Sequence, residues 1–168
     1  KFTSKHTMKI YSVIMTDEAH KILCNHLIRN DLQEDLCFAT YKPSTGSKRF
    51  SGIVNKVILP LKGERRVHGN VSFMSSYFER VLDIAKKGNE GIVFIHSHPF
   101  PGWQGMSHDD INTEKTISPA AFACTQLPLL GMTVGTDTSW SARFWLKDNT
   151  KKRTYNRNWC ETVRVIGK

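Results

Sequence analysis

Ile92-Val93-Phe94-Ile95-His96-Ser97-His98-Pro99, followed after a short loop by Ser107-His108-Asp109-Asp110, is the stretch on which the reading of this chain turns. Four apolar residues in a row read as a buried strand. Two histidines close it, two positions apart, and side chains at i and i+2 of a strand share a face. Both imidazoles can therefore reach one ion. Pro99, Pro101 and Gly102 signal a turn, and Ser107 then opens a helix with Asp110 one turn in. Two neutral imidazoles and a carboxylate form the donor set of catalytic zinc sites, which leave a fourth position to water. Each piece also has an ordinary reading. Histidine pairs at strand spacing arise by chance, and Ser-x-x-Asp is a helix N-cap pattern in which Ser107 accepts a backbone N–H. Asp110 would then simply favour the positive end of the helix dipole. The order of the pieces is what makes the pattern specific.

The flanking sequence supplies a fold around this stretch. Residues 9–14 alternate weakly, as a first strand does. Thr16 or Asp17 makes an N-cap with acidic residues in the first turn. Ala19, Ile22, Leu23, Leu27 and Ile28 recur at helical spacing and predict a helix over 17–30 with one face on a sheet. Residues 32–41 read as a strand running inward to the turn at 43–46, and residues 50–61 as its hairpin partner. Residues 66–73 read as one further short strand. Met74, Phe78, Val81, Leu82 and Ala85 predict a second helix over 72–87, closed by Lys86, Lys87 and Gly88. A third helix follows over 107–116. Strands at 127–134 and 141–146 then form a late hairpin about the 135–139 turn. The basic tail, 147–168, is weakly patterned, with room for a strand or helix near 158–166. No repeat or linker interrupts the chain, so its 168 residues predict one α/β domain, a mixed, mostly antiparallel sheet flanked by about three helices.

Composition excludes several classes. Hydrophobic residues make up 39% and charged residues 23% of the chain, which argues against disorder. No apolar run approaches the roughly 18 residues of a membrane span. The first residues, 1–8, lack an apolar signal core and read as a cut end, a cloning remnant or a disordered segment. Cys24, Cys37, Cys124 and Cys160 contain no Cys-x-x-Cys pair, so a structural zinc clip is not expected. Cys24 and Cys37 read as buried thiols in a reducing cytosol. Asn70-Val71-Ser72 fits a glycosylation acceptor, but nothing else points to secretion. The formal net charge of +9 admits nucleic acid, an acidic partner or solubility alone. No nucleic-acid-binding motif accompanies it, so no nucleic-acid partner is expected. His6, His20, His26 and His68 have no ligand spacing, and His108 either shapes the pocket or faces solvent. Asp109 competes with Asp110 as a ligand but lacks the Ser-x-x-Asp offset. Phe100, Trp103 and Met106 are either exposed by their Pro/Gly loop or fold back as a lid. Trp103, with Phe100, is expected to clamp an extended substrate tail.

His96, His98, Pro99, Ser107 and Asp110 together resemble the signature of the JAMM (MPN+) metalloproteases: a distant Glu, then His-x-His-Pro, then Ser-x-x-Asp. The spacer 100–106 is about one residue longer than usual for that family. The resemblance spans the chain and implies a single JAB/MPN-like domain with a cytidine-deaminase-like arrangement. It also implies one catalytic Zn2+ on His96, His98 and Asp110, and an oxyanion donor at Ser107. Glu34, at the start of the strand after the first helix, matches the family's general base. From the residues alone the better reading of Glu34 is a solvated strand end, and it is the resemblance that reverses this. Cys37-Phe38-Ala39 stands where many members have a glycine, which keeps Asp35 open as an alternative. The size resembles the compact bacterial branch, whose members accompany E1- and E2-like proteins and a ubiquitin-like protein, including in antiphage operons.

The implied activity is hydrolysis of an isopeptide or peptide bond after the tail of a ubiquitin-like protein, as deconjugase or precursor processor. The expected protein is cytoplasmic and monomeric. Two rival readings stand beside it: a zinc amidohydrolase on a small amide or sulfur-carrier adduct, and a non-catalytic MPN-type scaffold.

Overall fold

A computed structural model describes residues 9–151 and 154–167. The expectations for residues 1–8, for His6, and for Lys152, Arg153 and Lys168 of the basic tail fall outside them. Thirteen elements follow in order: β1 (Ile10–Thr16), α1 (Asp17–Leu27), β2 (Leu36–Thr45), β3 (Arg49–Ile58), β4 (Arg65–His68), β5 (Asn70–Phe73), α2 (Ser75–Gly88), β6 (Gly91–Ser97), α3 (His108–Thr125), β7 (Leu129–Val134), β8 (Trp140–Lys147), β9 (Tyr155–Trp159) and β10 (Thr162–Ile166). Eight strands form one sheet in the order β10-β1-β3-β2-β6-β7-β8-β9, and β4–β5 form a separate hairpin. The fold is thus α/β with three helices and a mostly antiparallel sheet, parallel only at β1–β10, β1–β3 and β6–β7.

The centre of the sheet is β6, whose seven residues are all buried. It runs antiparallel to β2 and parallel to β7. Two-sided burial explains why this strand carries a continuous apolar run and no alternation. Alternate β6 residues serve two cores. Val93 and Ile95 join Met15, Leu23 and Leu27 under α1. Ile92 and Phe94 join Tyr77, Val81 and Ile117 under α2 and α3. Phe38 centres the second core, with its ring 5.1 Å from Phe73, 5.0 Å from Tyr77 and 5.2 Å from Phe94. Burying one such side chain contributes roughly 1.5–3 kcal/mol.

The sheet curls strongly. Its two outer strands, β9 and β10, are joined by only Cys160 and Glu161. Cys160 N–H donates to Ala142 O on β8 (2.9 Å), and Glu161 N–H donates to Tyr11 O on β1 (2.8 Å). The short link thus stitches opposite ends of the strand order together.

Several boundaries differ from the sequence expectation. The first helix stops at Leu27 rather than residue 30, although Thr16 caps it as expected, accepting from Ala19 N at 3.1 Å. The second strand starts at Leu36, so Glu34 lies in the segment leading to it. Residues 65–73 are a hairpin, not one strand, turning at Gly69 with φ +78°. The second helix starts at Ser75. The third continues to Thr125 through Pro119. The tail holds two strands instead of one element. Cys37 is buried, but Cys24 is only half-buried. The β2–β3 and β7–β8 hairpins pair as the sequence predicts. Among the described residues no helix is long and apolar enough to cross a membrane.

Candidate metal centre and its cleft

His96 is held by the sheet itself, registered between Leu36 of β2 and Thr133 of β7. His98 lies just past the end of β6, but its N–H donates to Val134 O at 3.0 Å, which prolongs the ladder by one bond. The strand period therefore persists across His96 and His98 and aims both rings at one point. Asp110 arrives from the start of α3. Ser107 Oγ accepts from Asp110 N at 3.1 Å, and Asp110 Oδ2 accepts from Ser107 N at 2.8 Å. The capping box is real, and the same carboxylate faces the histidines. The two readings of Ser-x-x-Asp coexist because one carboxylate has lone pairs for both tasks.

The donor atoms crowd together, with each Asp110 oxygen turned on one imidazole. His96 Nε2 and His98 Nε2 are 3.2 Å apart. Asp110 Oδ1 is 3.2 Å from His96 Nε2, and Oδ2 is 3.1 Å from His98 Nε2. Tetrahedral zinc, with bonds of about 2.0–2.1 Å, needs ligand-to-ligand edges of about 3.3–3.4 Å. Two neutral imidazole lone pairs and a carboxylate turned on one another repel unless a cation lies between them. The group can hold a metal ion. The ligands are only 3% and 7% exposed at His96 and His98, so an ion there is shielded on the protein side.

The surroundings set the charge states. Burial works against the charged form of Asp110, yet the hydrogen bonds and charges of His96 and His98 and the Ser107 N–H outweigh it. Its carboxyl is held far below the usual carboxylate range. Burial likewise opposes a charged His98, but Asp110, with smaller help from Gln104 and Glu34, raises its pKa above the ordinary imidazole value. The contacts behind the two rings differ. His98 Nδ1 lies 3.0 Å from Gln104 Oε1. His96 Nδ1 is buried with no partner among the described residues. The His96 ring has Thr133 Oγ1 at 3.5 Å from Nε2, and that hydroxyl accepts from Arg143 Nη1 at 2.8 Å.

Glu34 and Asp35 have different fates. Asp35 is fully buried. Its carboxylate accepts from Arg29 Nη1 (3.1 Å), from Arg65 Nε (2.6 Å) and from Leu36 N (2.8 Å). Those bonds tie the segment after α1, β2 and the β4–β5 hairpin together and leave no oxygen for chemistry. Glu34 is half-buried and opens into a cleft of about 600 Å³ that His96, Ser107 and Asp110 also line. Burial pushes the Glu34 carboxyl up. The positive influence of His98 and His96 opposes that shift, and Asp110 adds to it. Val71 and Phe73 of β5 and Ile117 of α3 form the apolar walls.

The remaining sequence candidates are dispersed. Phe100 is 48% exposed and packs on the His98 ring, centroids 5.1 Å apart. Trp103 is 68% exposed and leans on Trp159 of β9 at 5.1 Å, outside the cleft lining. Asp109 lines the cleft but is not part of the triad, and His108 is exposed at the first turn of α3. His26 Nε2 contacts Leu36 O at 2.8 Å, and His20 contacts Cys24 Sγ at 3.3 Å, so both serve local packing. Sequence reasoning missed Gln104, Arg143 and Glu114. Arg143 did carry a signal, a lone charge inside the apolar run Ala142–Trp145. Gln104 carried none, because a polar residue in a Pro/Gly loop looks solvated.

The fold and site thus define a class: an α/β domain with a candidate two-histidine, one-aspartate metal centre open to a cleft. Comparison with protein-family models and with curated proteins returns no match that would narrow it to a family.

Proposed function

We propose that the chain is a zinc-dependent hydrolase of the JAMM type, which cleaves the amide bond after the tail of a ubiquitin-like protein. One observation carries the reading: His96 and Asp110 of the triad, Ser107 and the Glu34 carboxylate line one cleft, while Asp35 is consumed elsewhere. His96, His98 and Asp110 would hold the ion. Zinc in such a site supplies Lewis acidity, polarising an amide carbonyl and bringing the ionisation of water to about pH 7. Glu34 takes the proton of the attacking water and passes it to the leaving nitrogen. Its upward-shifted pKa brings it closer to neutrality, where a carboxyl can do both. The Ser107 hydroxyl accepts from Asp110 N through a lone pair, so its proton is free to donate to the carbonyl oxygen as charge develops there.

Phe73 and Ile117 give the cleft apolar walls against which an extended chain would lie beside the ion. Glu34→Gln should lower cleavage of a ubiquitin-like fusion by about 10²–10⁴-fold while zinc content measured by atomic absorption stays the same. Near-full activity in that variant would remove Glu34 from the mechanism. A panel of ubiquitin-like fusions against small amides separates this reading from a small-molecule amidohydrolase.

A further inference from the structure

The loop that carries the chain from His98 to Ser107 is tied down at three places. Phe100 O accepts from Thr136 N at 3.1 Å, and Gly102 N donates to Asp137 Oδ2 at 3.0 Å, so the loop is laced to the β7–β8 turn. The third tie is Gln104, fully buried in the middle of the loop. Its Nε2 donates to Phe100 O (3.1 Å) and to Gly102 O (2.7 Å). Two carbonyl acceptors fix which end of the amide is nitrogen, so Oε1 is the atom turned to His98 Nδ1 at 3.0 Å. An amide oxygen only accepts. His98 must therefore carry its proton on Nδ1, which leaves the Nε2 lone pair for the metal. The pocket around Gln104 is tight. A Cβ on Gly135 would stand 2.3 Å from Gln104 Nε2 and 2.8 Å from Phe100 O, so even an alanine there would displace the amide.

The geometry points to Gln104 as a positioning residue of the metal centre: it fixes the tautomer and ring orientation of His98 and so sets the affinity of the site for its ion. The inference rests on the metal reading above and deepens it, since it names a residue outside the ligand set on which the ion depends. It also divides the two imidazoles. His98 is oriented by a buried hydrogen bond, whereas His96 is oriented by its strand register.

The test uses pairs of variants and metal affinity in place of turnover. Zn2+ and Co2+ dissociation constants are measured by competition with a chromophoric chelator on the full chain. Gln104→Met keeps length but has no oxygen acceptor, and should weaken both ions about 10–100-fold. Gln104→Glu keeps an acceptor for Nδ1–H but loses both donations to Phe100 O and Gly102 O. If Gln104 served the loop alone, Glu would be at least as harmful as Met. Under the inference Glu holds affinity within a few-fold of the parent chain. Gly135→Ala, which changes no ligand, should weaken the ions in the same direction as Gln104→Met. Affinity unchanged in Gln104→Met, or equal loss in the Met and Glu variants, overturns the inference and leaves the metal reading intact. A parent chain that binds neither ion overturns both.

Discussion

Asp110 and Asp109 are adjacent, both face the cleft, and only one joins the triad. The difference lies in the helix period. Asp110 is the third residue of α3, where the capping box turns its carboxylate back over Ser107 and toward the imidazoles. Asp109, one residue earlier, takes no part in that box. Asp110→Asn should abolish tight Zn2+ binding, since the amide that replaces the carboxylate removes the only anionic donor. Asp109→Asn should leave the dissociation constant within about twofold. Isothermal titration with Zn2+ reads both. At this scale the sequence was legible where spacing alone decides, as at His96, His98 and Asp110. It was silent on Glu34 against Asp35, because that choice is made by Arg29 and Arg65, which come from a helix end and a separate hairpin. No local pattern encodes such a meeting.

At the scale of elements, α3 shows why the expected stop at residue 116 failed. Pro119 reads as a breaker, since it lacks an N–H and crowds the preceding turn. Here the helix runs on to Thr125, and Ser118 Oγ donates to Glu114 O at 2.7 Å within the same turn. The helix is buried at Glu114, Ile117, Ser118 and Ala121, and that packing outweighs the lost backbone bond. A buried glutamate and serine also blur the apolar stripe from which its length would be read. The hairpin β4–β5 was hidden for a simpler reason: half its residues are exposed and its alternation is short.

The joint between α2 and β6 gives a pH-dependent prediction. Glu90 is 2% exposed. It accepts from Thr40 Oγ1 (2.9 Å) and Asn55 Nδ2 (2.7 Å), with Lys56 Nζ at 3.3 Å. Burial raises its pKa, but the three partners and the lysine charge outweigh that and lower it below 4.5. A carboxyl lowered on folding stabilises the native state above its unfolded value and loses that contribution as pH falls through the folded one. Melting temperature should therefore fall more steeply below about pH 4.5 in the parent chain than in Glu90→Gln, which starts lower at neutral pH. Parallel slopes in thermal melts from pH 3 to 7 would contradict this account.

Across the whole molecule, the cleft is backed by a buried ion pair. Arg143 and Glu114 are both 0% exposed. Arg143 donates through Nε to Glu114 Oε1 at 2.9 Å and again through Nη2 to Oε2. Trp145 Nε1 donates to Glu114 Oε1 at 2.9 Å. This network joins α3, β7 and β8 and reaches the His96 ring through Thr133. Removing one partner strands a buried charge, so Arg143→Met should cost about 3–5 kcal/mol in urea unfolding. Arg143→Met combined with Glu114→Met should cost less than the sum of the single changes, because no charge is left unpaired.

The two-residue link between β9 and β10 has a consequence for how the molecule is assembled. Ser12 pairs with Thr162 and Thr16 with Ile166, so the rim of the sheet is shut by partners from nearly opposite ends of the described chain. Pairings so distant in sequence are reached late and slowly. Folding should therefore fasten this segment like a buckle after β2, β6 and β7 have framed the candidate metal site. An intermediate with the buckle undone would keep its histidines in place, yet offer residues 155–166 to a protease before any other strand.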